Sequence, residues 1–524
     1  MGSIIFKSFQ KNKQQVSINL VLITFAVIVF SYLIVSLWAV DSGTSVYGFV
    51  KYLPVLLFAY LVNLYSDNER REVLTALPLI SVVTGYVAFV LSFVPVLKKW
   101  LLVAERLGGF FQSPNAFALF TLVGIIILLS SDKLDLKKWS LLIASIILVF
   151  LSGSRTVFVL MLLVVIVSIF RLENKKSKIA IFSAFFAVLV LSVVIALVTD
   201  SFQTFGRFLT ISLNSSTFLG RLLYFKDAIP IIFKNPFGLG YYGYFFSQGT
   251  FQTGVYSTAF IHNSVLQLLL DIGFVPVILF CITLVATIIS KNVQFREKFI
   301  LVTVFLHSLF DFDFQFISIL FVLVLTLDFD LFKVKRIKTD KLIAGATLPL
   351  AVISVYFAIV NILFLGGKFS TVEKIYGNDT QSKVYLLQIE KNEYIAEQYA
   401  DDIIENNGML AIAYDYKANL AFEEGDFEKV IEYKKKAIEC APYSLNEYLD
   451  YLDKLIVGIE LYINANDYSS AEVCLKETKK VKTLLAKQKS ETSSLAWKIQ
   501  DKPQLDLPEE YEEMLNSIYA KGKK

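Results

Sequence analysis

Hydrophobic runs long enough to cross a lipid bilayer recur along the chain from Val16 to Phe364. They constrain the fold more than any other feature, because a membrane-crossing helix needs about 20 mostly apolar residues. Hydrophobic residues make up 55% of the 524 residues, charged residues make up 18%, and the mean hydropathy is +0.59. We therefore predict an all-α polytopic membrane protein.

The runs divide into eleven predicted spans. They lie at residues 17–38, 46–65, 73–96, 114–131, 139–152, 155–171, 179–199, 264–289, 297–312, 314–332 and 341–364. Ten or twelve spans remain possible, because the fifth is short and residues 312–314 leave little room for a turn. Clusters of Lys and Arg precede the first span and follow the second, fourth, sixth, eighth and tenth. All of these clusters fall on one side, which the positive-inside rule identifies as the cytoplasm, together with the N-terminus.

The opposite side then carries the 97–113 loop, the 152–155 turn, the long 200–262 loop and everything after Leu365. We divide the chain into a transmembrane domain (1–365), an extracytoplasmic helical domain (366–500) and a charged tail (501–524) that is expected to fray. Ala418, Gly425-Asp426-Phe427 and Pro442 resemble a tetratricopeptide repeat, and a generic helical hairpin domain is the alternative. Either fold would serve binding or docking, because stacked helix pairs present a concave face.

Polar residues from several segments converge on the predicted outer side. His262 opens the eighth span, and histidine is the side chain best suited to accept a proton near neutral pH. Asn263 follows it as a candidate helix N-cap. Three arginines, Arg106, Arg155 and Arg221, lie on the same side. The alternative is structural, since an interfacial histidine and arginines that snorkel to the headgroups are common.

Three further ionisable residues fall inside predicted spans. His307 and Asp311 are four residues apart in the ninth span, so a contact between them is feasible on one helix face. Asp271 lies in the eighth span, about 13 Å below His262 at the helical rise. Structural hydrogen bonding and catalysis are equally compatible with all three. No pattern suggests a metal or another cofactor, and Cys440 and Cys474 could pair without implying a disulfide framework.

The chain contains, in this order, Arg106-x-Gly-Gly-Phe-x-x-x-Pro-Asn115, Ser154-Arg155, Gly220-Arg221, Pro236-x-Gly-x-Gly240, His262-Asn263 and Gly273. This ordered set carries a resemblance to the O-antigen ligase and Wzy-type polysaccharide polymerase superfamily over roughly residues 100–330. It implies a GT-C-type membrane fold and a glycosyltransferase that needs neither a nucleotide sugar nor a catalytic metal. It also implies a polyprenyl-diphosphate-linked glycan as donor, His262 as the base, and Arg155 and Arg221, with Arg106, on the diphosphate.

The function predicted in this way is glycan transfer to an acceptor hydroxyl at the outer face of the bacterial cytoplasmic membrane. The acceptor is a glycan, a lipid or a cell-wall-type molecule, and the resemblance does not separate ligases from polymerases. The helical tail is expected to contact envelope proteins, and no nucleic acid partner is indicated. Two alternatives remain, a flippase or other transporter of lipid-linked oligosaccharides and a scaffold for polysaccharide assembly. A transporter would instead place charges along a midplane path between inverted repeats.

Overall fold

The fold is known from a computed structural model, which describes residues 15–131, 133–171, 175–198, 212, 214–333, 335–338 and 340–521. Helices dominate it throughout. The N-terminal half contains α1 (Leu20–Val35), α2 (Ser42–Asn63), α3 (Asp67–Leu91), α4 (Pro95–Leu101), α5 (Pro114–Leu129), α6 (Leu136–Ser152), α7 (Arg155–Arg171) and α8 (Lys175–Val198). It continues with α9 (Ser216–Lys234), α10 (Gly243–Ser247), α11 (Ser264–Ile272), α12 (Phe274–Ile289), α13 (Phe295–Ser308), α14 (Ile317–Thr326) and α15 (Asp340–Leu365).

Helices occupy all eleven predicted spans, with two differences. The eighth is interrupted at Gly273, which separates α11 from α12. The ninth and tenth are shorter than predicted, because a 3-10 segment, Asp313–Gln315, lies between α13 and α14. Among the described helices, three segments are long and apolar enough to cross a membrane by length and composition, namely Ser42–Asn63, Asp67–Leu91 and Leu348–Leu365. The chain is therefore an all-α membrane protein.

Short polar side chains set the starts of several helices. Four N-cap side chains each accept a hydrogen bond from a backbone amide in the first turn of the helix that follows, namely those of Asn19, Asp41, Ser113 and Asp135. Residues of α1, α2, α5 and α14 form the main apolar core, where α5 is buried along almost its whole length. The core thus forms around α5, and the neighbouring helices expose their outer faces.

The bundle contains two small strand pairs, one between distant segments and one local. Strand β1 (Gln15–Ile18) pairs antiparallel with β4 (Lys335–Lys338), so that Gln15 lies opposite Lys338. Strands β2 (Leu102–Val103) and β3 (Arg106–Leu107) form a short hairpin before α5. The first pair connects the beginning of α1 to the segment before α15, and the second positions Arg106.

The stretch from Asn235 to Tyr241 crosses the helix break at Gly273. Its backbone hydrogen-bonds there, with Leu239 donating to the Leu270 carbonyl at 2.7 Å and Phe274 donating to the Pro236 carbonyl at 3.0 Å. Gly238 has φ +89°, and a Cβ there would lie 2.5 Å from the Asp271 carbonyl oxygen. The approach of the two backbones therefore requires glycine at this position. The predicted outer loop is thus partly helical, in α9 and α10, and packs against the bundle.

The C-terminal part of the chain, residues 369–521, is a series of helices, most of which pack against the next one in sequence. They are α16 (Phe369–Ile375), α17 (Thr380–Ile389), α18 (Glu393–Asn406), α19 (Ala411–Glu423), α20 (Phe427–Cys440), α21 (Leu445–Asn464), α22 (Tyr468–Glu491) and α23 (Glu509–Lys521). The expectation that the tail frays is wrong for its described part, because α23 is helical and Leu515 is fully buried. Cys440 and Cys474 are both free thiols in this structure.

The C-terminal helices rest on the N-terminal end of α2. Tyr47 donates to Asp379 at 2.9 Å, Tyr376 donates to the Gly43 carbonyl at 2.8 Å, and Asn407 donates to Asp41 at 3.1 Å. These contacts hold the C-terminal half against the bundle.

Candidate active site

His262 and Asp311 form a hydrogen-bonded pair between α11 and the end of α13. Nδ1 of His262 lies 3.1 Å from Oδ1 of Asp311. The His262 side chain is 26% exposed, whereas that of Asp311 is 5% exposed. A carboxylate on Nδ1 favours the tautomer that carries its proton there and leaves the Nε2 lone pair as an acceptor. The pair therefore offers a proton acceptor at a position that a ligand can reach.

The start of α11 fixes this geometry. Asn263 is the N-cap, as predicted, and its side-chain oxygen accepts from two backbone amides of the first turn. Its amide nitrogen donates to the Leu309 carbonyl at 3.0 Å. The Ser264 hydroxyl donates to the Asp311 carbonyl at 2.8 Å. Both contacts connect the helix that follows His262 to the turn that carries Asp311.

The Asp311 carboxylate accepts hydrogen bonds from a backbone amide and a side-chain amide, and a guanidinium group lies beside it. The backbone amide of Phe312 donates to Oδ1 at 2.9 Å, and the Asn115 side chain donates to Oδ2. Nη2 of Arg221, which α9 contributes, lies 3.7 Å from the same Oδ2. Two donated hydrogen bonds and the neighbouring Arg221 guanidinium favour the ionised form of Asp311. Asp311 is therefore suited to orient the imidazole as a carboxylate.

Arg106 is connected to the pair through Asn115. Its Nε donates to the Ser152 carbonyl at 2.8 Å, and its Nη2 donates to the Asn115 side-chain oxygen at 2.9 Å. A continuous chain of hydrogen bonds thus runs from Arg106 through Asn115 and Asp311 to His262. Sequence reasoning did not assign this role to Asn115, although Asn115 directly follows Pro114 at the start of a predicted span and ends the Arg106 motif.

Arg155 is the first residue of α7. The turn before it depends on Gly153, which ends α6 in the left-handed conformation with φ +59°. That same turn supplies the Ser152 carbonyl to Arg106. This turn therefore connects Arg155 along the chain to the Ser152 carbonyl that Arg106 contacts.

His307 has a different partner from the one predicted. Its Nδ1 lies 2.6 Å from Oδ2 of Asp313, and both side chains are at most 1% exposed. The reason is that α13 ends at Ser308, so the helical spacing that would stack Asp311 on His307 does not continue. Asp311 turns instead to His262, and His307 is enclosed in the interior.

Asp271 lies in a buried network under the site. Its carboxylate accepts from the Tyr32 hydroxyl at 2.9 Å and from the Gln267 side chain at 2.7 Å. The side-chain oxygen of the same Gln267 amide accepts a hydrogen bond from the backbone amide of Ile261 at 2.8 Å. Asp271 therefore supports the segment that leads into His262, without contacting the imidazole through these bonds.

An apolar cavity of about 470 Å³ lies beside the site. Its lining comes from α3, α5, the 3-10 segment before α5 and the start of α14, and it includes Ile80, Phe110, Phe111, Phe117, Phe120 and Phe316. The Phe316 ring stacks near Phe312 with centroids 5.9 Å apart, and Phe312 lies 5.0 Å from the His262 ring. A continuous aromatic surface thus connects the cavity with the histidine. In the part of the chain that the structure describes, no three His, Cys, Asp or Glu side chains are grouped to hold a metal.

A family model described as O-antigen ligase matches residues 140–281. This segment belongs to the O-antigen ligase family. The O-antigen ligase segment includes Arg155, Arg221, His262, Asn263 and Asp271, whereas Arg106, His307 and Asp311 lie outside it. A search of curated proteins found no match. The match supports a membrane enzyme of polysaccharide assembly at the level of the family, and that family implies a lipid-linked glycan as donor.

Proposed function

We propose that this protein transfers a glycan from a polyprenyl diphosphate to an acceptor hydroxyl at the outer face of the bacterial cytoplasmic membrane. The observation that carries the proposal is the meeting of His262, Asp311 and Arg221, a base, its orienting carboxylate and a cation. The divisions at residues 365 and 500 and an extracytoplasmic C-terminal domain are part of this proposal.

The donor would lie across two environments. The apolar cavity is suited to part of the isoprenoid tail, because aromatic and aliphatic side chains line it and Phe110 and Ile80 are exposed. Arg221 and Arg155 would bind the diphosphate, since the planar guanidinium group matches phosphate oxygens and stays charged. Arg106 would add a further positive charge near the diphosphate, while two of its N–H groups donate to the Ser152 carbonyl and the Asn115 side chain.

In the transfer step, Nε2 of His262 takes the proton of the acceptor hydroxyl. The acceptor oxygen forms a bond to the anomeric carbon as the bond from that carbon to the diphosphate oxygen breaks. The polyprenyl diphosphate leaves with the bonding electrons, and the configuration at the anomeric carbon inverts. Asp311 stabilises the imidazolium that forms, and the arginines stabilise the growing charge on the leaving group.

Two substitutions test the proposal. We expect His262→Ala and Arg221→Ala each to abolish transfer from an undecaprenyl-diphosphate glycan by the purified protein, with membrane expression unchanged. Lys234→Ala is the matched control, because Lys234 is an exposed cation at the other end of α9. Product formation at wild-type rate by both site variants would contradict the proposal.

The same assay separates the two reaction types. A polymerase would give a ladder of products from the glycan donor alone. A ligase would give a single addition to a distinct acceptor. An unaltered donor that only crosses the membrane of a proteoliposome would instead indicate a transporter.

A further inference from the structure

We propose that the segment Ser493–Gln500 of the C-terminal half is a positioning element of the candidate active site. It would hold α9 in place and thereby keep Arg221 beside Asp311. The inference rests on the proposed function for its catalytic consequence, while its structural part stands on contacts between the two halves of the chain.

Hydrogen bonds from this segment reach both sides of Arg221 along α9. The backbone amide of Gln500 donates to the Ser216 hydroxyl at 2.8 Å, at the first residue of the helix. Lys226, five residues after Arg221, donates to the Ser493 hydroxyl at 3.0 Å. The arginine therefore lies on the length of helix between two attachment points.

Apolar packing closes the same interface. Leu223 and Ala496 are fully buried there, and Tyr256 and Ile499 are each less than 10% exposed. Tyr224 packs on Tyr256 with ring centroids 4.6 Å apart. The Tyr224 ring also stacks near His262, at 6.4 Å. The C-terminal segment thus supports the surface that lies behind the histidine.

A second set of contacts makes the support rigid. The Asp227 carboxylate accepts from the Thr253 amide at 2.8 Å, from the Thr253 hydroxyl at 2.7 Å and from the Tyr256 hydroxyl at 3.0 Å. The Thr253 carbonyl in turn accepts from the Ser493 amide at 2.8 Å. The segment, the loop around Thr253 and α9 are therefore joined in one hydrogen-bonded unit.

The catalytic consequence follows from the sensitivity of transfer reactions to geometry. A displacement of about 1 Å in a catalytic group can cost roughly a hundredfold in rate. Arg221 would act most strongly as the diphosphate leaves, so its displacement should lower kcat more than it raises KM for the donor. Ser493, Ala496 and Gln500 are positioning residues in this sense, because they act through α9.

Gly254 and Ala496 allow a compensating test. A Cβ on Gly254 would lie 2.6 Å from the Ala496 Cβ and 2.9 Å from the Leu223 Cδ2. In the full-length protein we expect Gly254→Ala to lower kcat about tenfold or more and to speed amide hydrogen exchange across residues 216–234. Adding Ala496→Gly removes the closer contact and should bring both quantities back to within about threefold of wild type.

Two further variants keep the test decisive if Gly254→Ala does not fold. Ser216→Ala removes the acceptor for Gln500 and should speed exchange in the first turns of α9. Ala413→Gly is the control, because Ala413 is fully buried in α19 in a separate apolar cluster. It should lower the stability of the C-terminal half and leave exchange in α9 at the wild-type rate.

Amide hydrogen exchange in α9 that stays at the wild-type rate in both Gly254→Ala and Ser216→Ala would overturn the inference. The inference would also be overturned if α9 exchanged no more slowly in the Gly254→Ala, Ala496→Gly double variant than in Gly254→Ala alone. If every variant and the wild type lack transferase activity, the proposed function fails while the exchange data still decide the coupling. Faster α9 exchange with unaltered kcat would overturn the catalytic part alone.

Discussion

At the scale of single residues, Asp311 is the centre of the candidate site. It contacts His262, Asn115 and Arg221, three groups that lie far apart in the sequence. The sequence allowed us to select His262, because it is one of two histidines and opens a predicted span, and Arg221, because it belongs to a motif of the family resemblance. It did not identify His262 as the partner of Asp311, because the contact with His307 that the spacing made feasible requires a helix that continues past Ser308.

Asp311→Asn tests the orienting role directly. The amide would place an N–H where the carboxylate accepts, so the imidazole would keep its lone pair on Nδ1 and lose the acceptor on Nε2. We expect kcat for glycan transfer to fall by about 10³- to 10⁴-fold, as expected when an orienting carboxylate becomes an amide. Asp330→Asn, at an exposed aspartate outside the site, should leave kcat unchanged. A fall of less than about threefold in Asp311→Asn would contradict the role.

At the scale of elements, the interruption at Gly273 determines how the segment from Asn235 to Tyr241 packs against the bundle. Apolar periodicity favoured one long helix from 264 to 289, because the residues on both sides of the glycine are hydrophobic. The break depends on contacts with Pro236 and Phe237, which are distant in sequence. A pattern read along one segment could not predict it. The starts of α5 and α11 were easier to predict, since Ser113-Pro114 and Asn263 are local signals.

Gly238→Ala tests this docking. The substitution combines a positive φ with a backbone oxygen 2.5 Å from the new Cβ. Gly425→Ala is a matched control, because Gly425 has φ +76° and a Cβ added there would meet no packed neighbour within 4 Å. The control should cost about 1–2 kcal/mol for conformation alone. We expect Gly238→Ala to lower the midpoint of thermal unfolding in detergent by clearly more, and to reduce transfer. Equal shifts in the two variants would contradict the close approach.

At the scale of the whole molecule, the C-terminal helices contact both the start of α2 and the helix α9. The distribution of Lys and Arg predicted that the C-terminal helices and the segment containing α9 lie on one side of the membrane. It could not show that they touch, because neither end of those contacts carries a recognisable motif. Whether the helical repeat is of the tetratricopeptide type stays a prediction.

Cysteine labelling checks the predicted side in protoplasts or spheroplasts. In a background without the three native cysteines, Lys482→Cys and Lys137→Cys would each introduce one thiol on an opposite side of the predicted topology. We expect a membrane-impermeant maleimide to label position 482 in intact cells and position 137 only after permeabilisation. Labelling of position 137 in intact cells, with position 482 protected, would reverse the assigned orientation.

The pairing of β1 with β4 has a consequence for the order of assembly during synthesis. Residues 15–18 leave the ribosome early, yet their partner strand at residues 335–338 follows the whole predicted series of helices up to α14. Contacts between such distant residues form slowly, because a long loop must be closed first. The β1–β4 pair can therefore form only after α14 has been made. A nascent chain that stops before residue 335 leaves β1 with an unpaired edge.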